Sequence, residues 1–335
     1  MSGIQEIAVA TGLSKSTVSR ALRDLPSVAP ATVMAVRRMA DQLGYIPSSA
    51  AAGLATGRNR TVGVVVPVID RWFYIRVLEG IDAELRRAGY DLILFNLAGA
   101  AGDRGRVFHR SILRKRVDAL VLLSLVFDED EREQLELTEY PLLVIGGPAP
   151  GIRHLGIDDH QVAYRATKYL LDLGHTRIAH IGGRDEAGAN SLVPGERHEG
   201  YLDALADAGI APVPEWSPNG EFTFAGGHDS MARLLQGPSV PTAVFAASDE
   251  MAFGAMVAIQ KAGLRVPEDI SVVGIDGHAY GKTFGLTTFA QDPVAQGARA
   301  ARVLLGEVAG QPALPWFEPA PVTFVERTSA GPPPN

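Results

Sequence analysis

Val62-Gly63-Val64-Val65-Val66-Pro67 is a continuous apolar run, and helical periodicity over Tyr74–Ala88 follows it. The same order returns at Ile178-Ala179-His180-Ile181, followed by Glu199–Ala208. Apolar runs without polar alternation fit strands buried on both faces, as in parallel sheets covered by helices. Further runs stand at Leu92–Phe95, Ala119–Leu123, Leu142–Ile145, Ala243–Phe245 and Val272–Ile275. Helical stretches lie at Arg104–Arg114, Ala163–Leu173, Gly227–Leu235 and Met251–Ala262. This alternation predicts an α/β body: two doubly wound parallel-sheet subdomains with a cleft between them. Ligands of such sheets lie beyond the carboxyl ends of the strands, so strand-end residues are the candidates.

A different pattern precedes the body. Ile4, Ile7 and Ala8 share one helical face, and Gly12 is placed to stop that helix. Ser14 is an N-cap for a second helix, Lys15–Leu22, which turns Val18 and Leu22 inward and leaves Lys15, Ser16, Ser19 and Arg20 outside. A third helix runs over about Pro30–Leu43, with Val33, Val36, Met39, Ala40 and Leu43 at helical spacing and Gly44 as its stop. Two short helices joined through Gly, the second basic on its outer side, describe an all-α helix-turn-helix domain. A small helical cap with a solvated face gives the same spacing.

The chain has 335 residues, enough for about two domains. Hydrophobic residues make up 46% and charged residues 21%, which supports full cores. There is no cysteine, so disulfides, thiolate metal sites and thiol catalysis are excluded. No apolar run reaches about 18 residues, and the N-terminus has no signal-peptide pattern, so a soluble cytoplasmic protein with no membrane partner is expected. Residues 1–60 carry Lys15, Arg20, Arg23, Arg37, Arg38, Arg58 and Arg60 against Glu6, Asp24 and Asp41. A basic head on an acidic body of overall charge −7 points the head towards a polyanion.

Ile4-Gln5-Glu6-Ile7-Ala8, Gly12-Leu13-Ser14-Lys15-Ser16-Thr17-Val18-Ser19-Arg20-Ala21-Leu22 and Leu43-Gly44-Tyr45-Ile46-Pro47 resemble the N-terminal signature of the LacI family of bacterial transcription regulators. The resemblance continues through Gly174–Gly183, Ser248–Ala255, Gly263–Gly277 and Glu326–Ser329, and so covers nearly the whole chain. It implies a periplasmic-binding-protein-like body. It also implies that Lys15, Ser16 and Arg20 read bases while Ser14, Thr17 and Ser19 touch phosphates, with capping an equal alternative for Thr17. Pro47–Gly57 would be a hinge helix, with Leu54 wedged into the minor groove. Ser48 and Ala52 depart from the family's usual Asn and Arg there, so two phosphate or cap contacts are missing.

In the body, the resemblance assigns effector contacts to Arg197, Asp276, Ser248, Asp249, Phe222 and the ring cluster Trp72, Phe73 and Tyr74, with Ser124 and Gln291 as weaker strand-end candidates. Arg197 could instead pair with Glu196 or Glu199, and Asp276 could cap a turn with Gly277. Gly146 and Gly147 stand where some members carry a polar sugar contact, which would leave room for a bulkier ligand. Arginine, carboxylates and aromatic rings together suit a sugar, and they also suit a nucleoside or purine. The expected partners are pseudo-palindromic double-stranded operator DNA, a small-molecule effector and a second copy of the chain. After Ser329 the chain offers only Ala-Gly-Pro-Pro-Pro-Asn, too short and proline-rich for a helical tetramerisation tail. A solute-binding protein for import is the alternative that the body alone would fit.

The expected domains are a helix-turn-helix over 1–46, a hinge over 47–60 and an effector-binding and dimerisation domain over 61–330. Within the last, the N-subdomain takes about 61–158 plus 289–312 and the C-subdomain about 159–288 plus 313–330. No enzyme, cofactor or metal site is expected. Gly277-His278-Ala279-Tyr280-Gly281-Lys282-Thr283 has three residues between its glycines where a P-loop needs four. His175 and His180 straddle a turn into a strand and do not share one helical face, and His154 and His160 flank a strand-like run. Asp128-Glu129-Asp130-Glu131 reads as a solvated helix start.

Overall fold

A computed structural model describes residues 3–22, 26–45, 58–97, 105, 116–138, 140–147, 151–183, 192–313 and 317–334. The chain forms two units, one up to Asn59 and one from Arg60 onward.

The first unit holds α1 (Ile4–Thr11), α2 (Lys15–Leu22) and α3 (Pro30–Gln42). Gly12 adopts φ +70° and ends α1, a backbone conformation that costs glycine little. Ile7 and Ala8 from α1, Val18 and Ala21 from α2, and Val36 and Ala40 from α3 close a small core. Leu22, expected inside, packs partly buried at its edge, and Ala21 takes the central place.

The second unit opens with β1 (Thr61–Val66), α4 (Trp72–Ala88), β2 (Asp91–Asn96), β3 (Ala119–Leu123), α5 (Glu129–Glu136), β4 (Leu142–Ile145) and β5 (His154–Gly156). Then follow α6 (Asp159–Asp172), β6 (Ile178–Ile181), α7 (Val193–Asp207), α8 (Phe224–Leu235), β7 (Ala243–Ala246), α9 (Asp249–Lys261) and β8 (Ser271–Asp276). The chain ends with α10 (Gly281–Phe284), β9 (Thr287–Ala290), α11 (Pro293–Val308), β10 (Phe317–Pro319) and β11 (Thr323–Val325). The helix expected over 104–114 lies, Gly105 aside, outside the described residues.

Two sheets form, ordered β10-β5-β4-β3-β1-β2 and β11-β9-β8-β7-β6. Every residue of β1, β3, β6, β7 and β8 is buried, as strands covered on both faces require. The pairing is parallel except that β11 runs antiparallel to β9, so the second sheet has one reversed edge. The subdomain boundaries differ from the expected ones: β9 lies wholly in the second sheet and β10 in the first. The chain therefore crosses between sheets around 157–158, 291–292 and 320–322. Phe317–Pro319 is short and largely exposed, so it carries no apolar run to read, and the expected boundary cuts through the four-residue strand Thr287–Ala290.

The acidic run before α5 is a helix start, but it is not fully solvated. Asp128 and Glu131 form a reciprocal capping box that buries Glu131: Glu131 N–H donates to Asp128 Oδ1 at 2.8 Å, and Asp128 N–H donates to Glu131 Oε2 at 3.2 Å. His175 is a buried core hub between Thr242, Ser271 and the Gly331 carbonyl.

Glycines let the covering helices cross closely. A Cβ on Gly80 would be driven into the Val294 carbonyl oxygen, and one on Gly297 into that of Val77, at the crossing of α4 and α11. Gly80→Ala is expected to lower stability by about 2–3 kcal/mol, although alanine is the better helix former by about 1 kcal/mol. A denaturant midpoint that stays put or rises contradicts this crossing.

Candidate functional site

In the first unit, α2 presents Lys15, Ser16 and Arg20 to solvent while Val18 and Ala21 turn inward. Ser14 caps the helix: its Oγ accepts from the Thr17 backbone N–H at 3.1 Å. The Ser14 hydroxyl also meets the hydroxyls of Ser16 at 2.9 Å and Thr17 at 2.8 Å. Thr17 therefore takes part in the cap. Arg20 folds back along the helix, donating from Nε to the Ser16 carbonyl at 3.2 Å and from Nη2 to Ser16 Oγ at 3.3 Å. Ser19 is partly buried on the same helix. The hinge residues, including Ser48, Ala52 and Leu54, lie outside the described residues.

In the second unit, a cavity of about 280 Å³ opens between the two sheets. Its walls come from segments that follow strands: Pro67 and Val68 after β1, Ser124 after β3, Gly146 after β4, Ile157 after β5, Ser248 after β7, Asp276 at the end of β8 and Gln291 after β9. Phe73, Tyr74, Arg197 and Phe222 complete the expected members. Four lining residues that are not glycine, Ser124, Glu221, Phe222 and Asp276, hold φ values of +46°, +54°, +53° and +131°. Such conformations cost on the order of 1–3 kcal/mol each and gather where a fold fixes a site.

Arg197 is not paired with Glu196 or Glu199. It projects from α7 to Asp159 at the start of α6, with Nε to Oδ1 at 2.8 Å and Nη2 to Oδ1 at 2.7 Å, and Nη1 donates to the Ala247 carbonyl. The Phe222 ring lies 6.0 Å from the guanidinium. Asp276 is not held by Gly277; its Oδ1 accepts from Gln291 Nε2 at 2.8 Å, and Gln291 Oε1 accepts from Gln296 Nε2 at 2.9 Å. Burial pushes the Asp276 carboxyl up to about 6, against the opposing influence of Arg197 and Gln291. Burial likewise raises Asp159, with Arg197 opposing, and raises Glu250. Tyr74 is raised by burial and hydrogen-bonded to Ser124.

Two expected contacts fall outside the lining. Asp249 is fully buried, accepting from Thr288 Oγ1 and from the His278 backbone N–H at 2.7 Å each, so it braces β9 and the turn after β8. A helix turns about 100° per residue, and once Ser248 faces the cavity as the cap of α9, its neighbour faces away. Trp72 instead packs against His278 with ring centroids 4.7 Å apart and tilted, and its backbone N–H donates to Glu250 Oε2 at 3.3 Å, joining the two subdomains beside the cavity. Gly146 does not leave open space: a Cβ there would meet Ser124 Oγ at 2.5 Å and the Phe73 ring at 3.1 Å.

Arg71, Asp159, Glu221 and Glu250 also line the cavity and were not anticipated. Asp159 lies ahead of the apolar periodicity that begins at Ala163, because β5 is only three residues long and α6 starts directly after it. Glu250 adjoins the Ser248-Asp249 pair and could have been found by taking the whole first turn of α9.

Residues 3–48 match the family model described as bacterial regulatory proteins, lacI family, and residues 167–330 match the periplasmic binding protein-like domain. The chain is 34% identical over 313 residues to the HTH-type transcriptional repressor PurR of Vibrio vulnificus (strain CMCP6), covering 92% of each. It is 33% identical to the HTH-type transcriptional repressor CytR of Escherichia coli (strain K12), covering 92% of this chain and 90% of that one. Among solved structures, the lac repressor dimer bound to operator and the anti-inducer ONPF superposes with TM-score 0.86 at 25% identity, covering 98% of this chain and 99% of that one. The transcriptional regulator CelR–cellobiose complex gives 0.72 at 29% identity, covering 98% and 100%. With a head matched at one end, a body matched at the other and full-length relatives above 30% identity, the chain belongs to the LacI family of bacterial regulatory proteins.

Proposed function

We propose that this protein is a cytoplasmic DNA-binding transcriptional repressor, working as a dimer on a pseudo-palindromic operator, with its operator affinity set by a sugar in the cleft. The observation that carries the reading is the presence in one chain of a helix exposing Lys15, Ser16 and Arg20 and of a cleft with polar and aromatic lining at the strand ends. Relatives bound to operator DNA and to cellobiose support both halves. Two heads would meet adjacent half-sites. A sugar favouring one arrangement of the subdomains would alter operator affinity, and operator would alter sugar affinity equally. Rings such as Phe73 and Phe222 would take the C–H face, and Asp276 and Arg197 the hydroxyls.

The test is thermal unfolding against mono- and disaccharides, sugar phosphates and nucleobases. A ligand at a hundredfold excess over its Kd adds about 2.7 kcal/mol, a clear rise in midpoint. A rise with purines and none with sugars overturns the sugar assignment. Removing residues 1–57 separates this reading from solute binding for import: DNA binding is lost and the cleft's ligand stays bound. Arg20→Ala should weaken specific duplex binding by about 1–3 kcal/mol, read by fluorescence anisotropy; unchanged affinity removes Arg20 from the base-reading set.

The cleft also implies a pH dependence. Above about 6 the Asp276 carboxylate accepts hydrogen bonds from ligand hydroxyls. As pH falls through that value it takes up a proton and loses this capacity, so sugar affinity falls, approaching tenfold per pH unit. Calorimetric titration between pH 7.5 and about 5 checks this, and a flat profile contradicts the role of Asp276.

A further inference from the structure

Within the proposed effector cleft, we infer that Asp159 closes Arg197 to anionic ligands and thereby makes the site selective for an uncharged polyhydroxy effector over its phosphate ester. The inference rests on the cleft being the effector site. It adds a specificity-determining residue outside the set of expected contacts.

A guanidinium has five N–H donors, and it captures phosphate or carboxylate through a two-pronged fork. In this cleft Nε and Nη2 of Arg197 are both spent on Asp159 Oδ1, and Nη1 donates to the Ala247 carbonyl. The pair is almost wholly enclosed, with side-chain exposures of 6% for Arg197 and 2% for Asp159. It therefore presents no net charge to the cavity. At most two N–H groups remain, enough for neutral hydroxyl acceptors.

The rest of the lining repels anions. Glu221, Glu250 and Asp276 stand against Arg71 alone. Arg71 is itself bonded to Asp70 at 2.6 Å and to the Glu221 carbonyl at 3.4 Å. Helix N-termini at the cavity wall could attract an anion, but two are already answered. Ser248 caps α9, whose first turn begins with Asp249 and Glu250, and the Trp72 N–H of α4 is given to Glu250. An incoming phosphate would lose its hydration and meet the carboxylates of the lining.

The test compares Asp159→Asn with wild type in the intact chain, using inorganic phosphate as the probe at matched ionic strength. Phosphate that binds the basic head is common to both proteins and cancels in the difference. Freed from its counter-ion, Arg197 binds phosphate, so the midpoint of the variant rises by about 2–4 °C more than that of wild type at about 50 mM phosphate. An equal response in the two proteins overturns the proposal. If D159N does not fold, Asp159→Leu combined with Arg197→Met leaves no lone buried charge. Its phosphate response equals that of wild type if Arg197 is closed, and a smaller response overturns the proposal. Cellobiose and glucose run alongside keep the two readings apart: no rise with any neutral sugar counts against the sugar effector, while the phosphate difference still decides the role of Asp159.

Discussion

Raising salt from 50 to 200 mM should weaken binding of the intact protein to its operator duplex by about a thousandfold or more. Duplex DNA holds condensed counterions, and each phosphate neutralised by the protein releases them, so log affinity falls linearly with log salt. Residues 1–60 carry a net charge of +4 and the rest of the chain −11, so attraction to DNA is concentrated in the head. In the proposed complex Ser14, Thr17 and Ser19 would hold the register on the backbone, and Lys15, Ser16 and Arg20 face outward on α2. Two heads on one operator double the phosphate contacts and steepen the slope. Anisotropy titrations at four salt concentrations measure it. A complex indifferent to salt contradicts the DNA reading, whatever the cleft binds.

The second large effect concerns the cleft. Asp276→Asn should lower sugar affinity by about a hundredfold and abolish the response of operator binding to sugar, with affinity for operator alone changed less than about twofold. The carboxylate ends β8, accepts from Gln291 and keeps further acceptor capacity for ligand hydroxyls. The amide is nearly isosteric, so the fold is preserved, but it replaces an ionised acceptor with a neutral one. The same variant should flatten the pH dependence between 5 and 7.5. Sugar binding that survives intact would move the recognition of hydroxyls away from Asp276.

The elements that carry apolar runs were legible in the sequence, most of them because burial on both faces favours unbroken apolar residues, although β2 keeps its run while half-exposed. Each of the seven strands read from such runs is present to within a residue at either end. The first-unit helices were legible through Gly12, Ser14 and Gly44, whose turn and cap chemistry is local. The strands Phe317–Pro319 and Thr323–Val325 were not, since three half-exposed residues have no period, and the subdomain boundary slipped at Phe317–Pro319.

The family resemblance, read together with strand ends, named Ser124, Ser248, Asp276 and Gln291, and all four line one cavity. It could not separate Ser248 from Asp249 or Trp72 from Phe73, because adjacent helical residues point in directions about 100° apart and only the cap geometry fixes which one faces inward. The partner of Arg197 was beyond the sequence for another reason. Asp159 lies 38 residues away on another helix, and the ion pair exists only where α6 and α7 pack together. Gly200 permits that packing: a Cβ there would be driven into the His160 carbonyl oxygen.

The central claim is that one chain couples a sugar in its cleft to the affinity of its head for DNA. The direct measurement is the Kd of the intact protein for a duplex selected from a random pool, with and without the sugar that most raises its thermal midpoint. The account predicts enrichment of two related half-sites and a shift in Kd of about 5- to 150-fold on adding the sugar. Failure to enrich any duplex, or a Kd that a saturating sugar leaves unchanged, contradicts it.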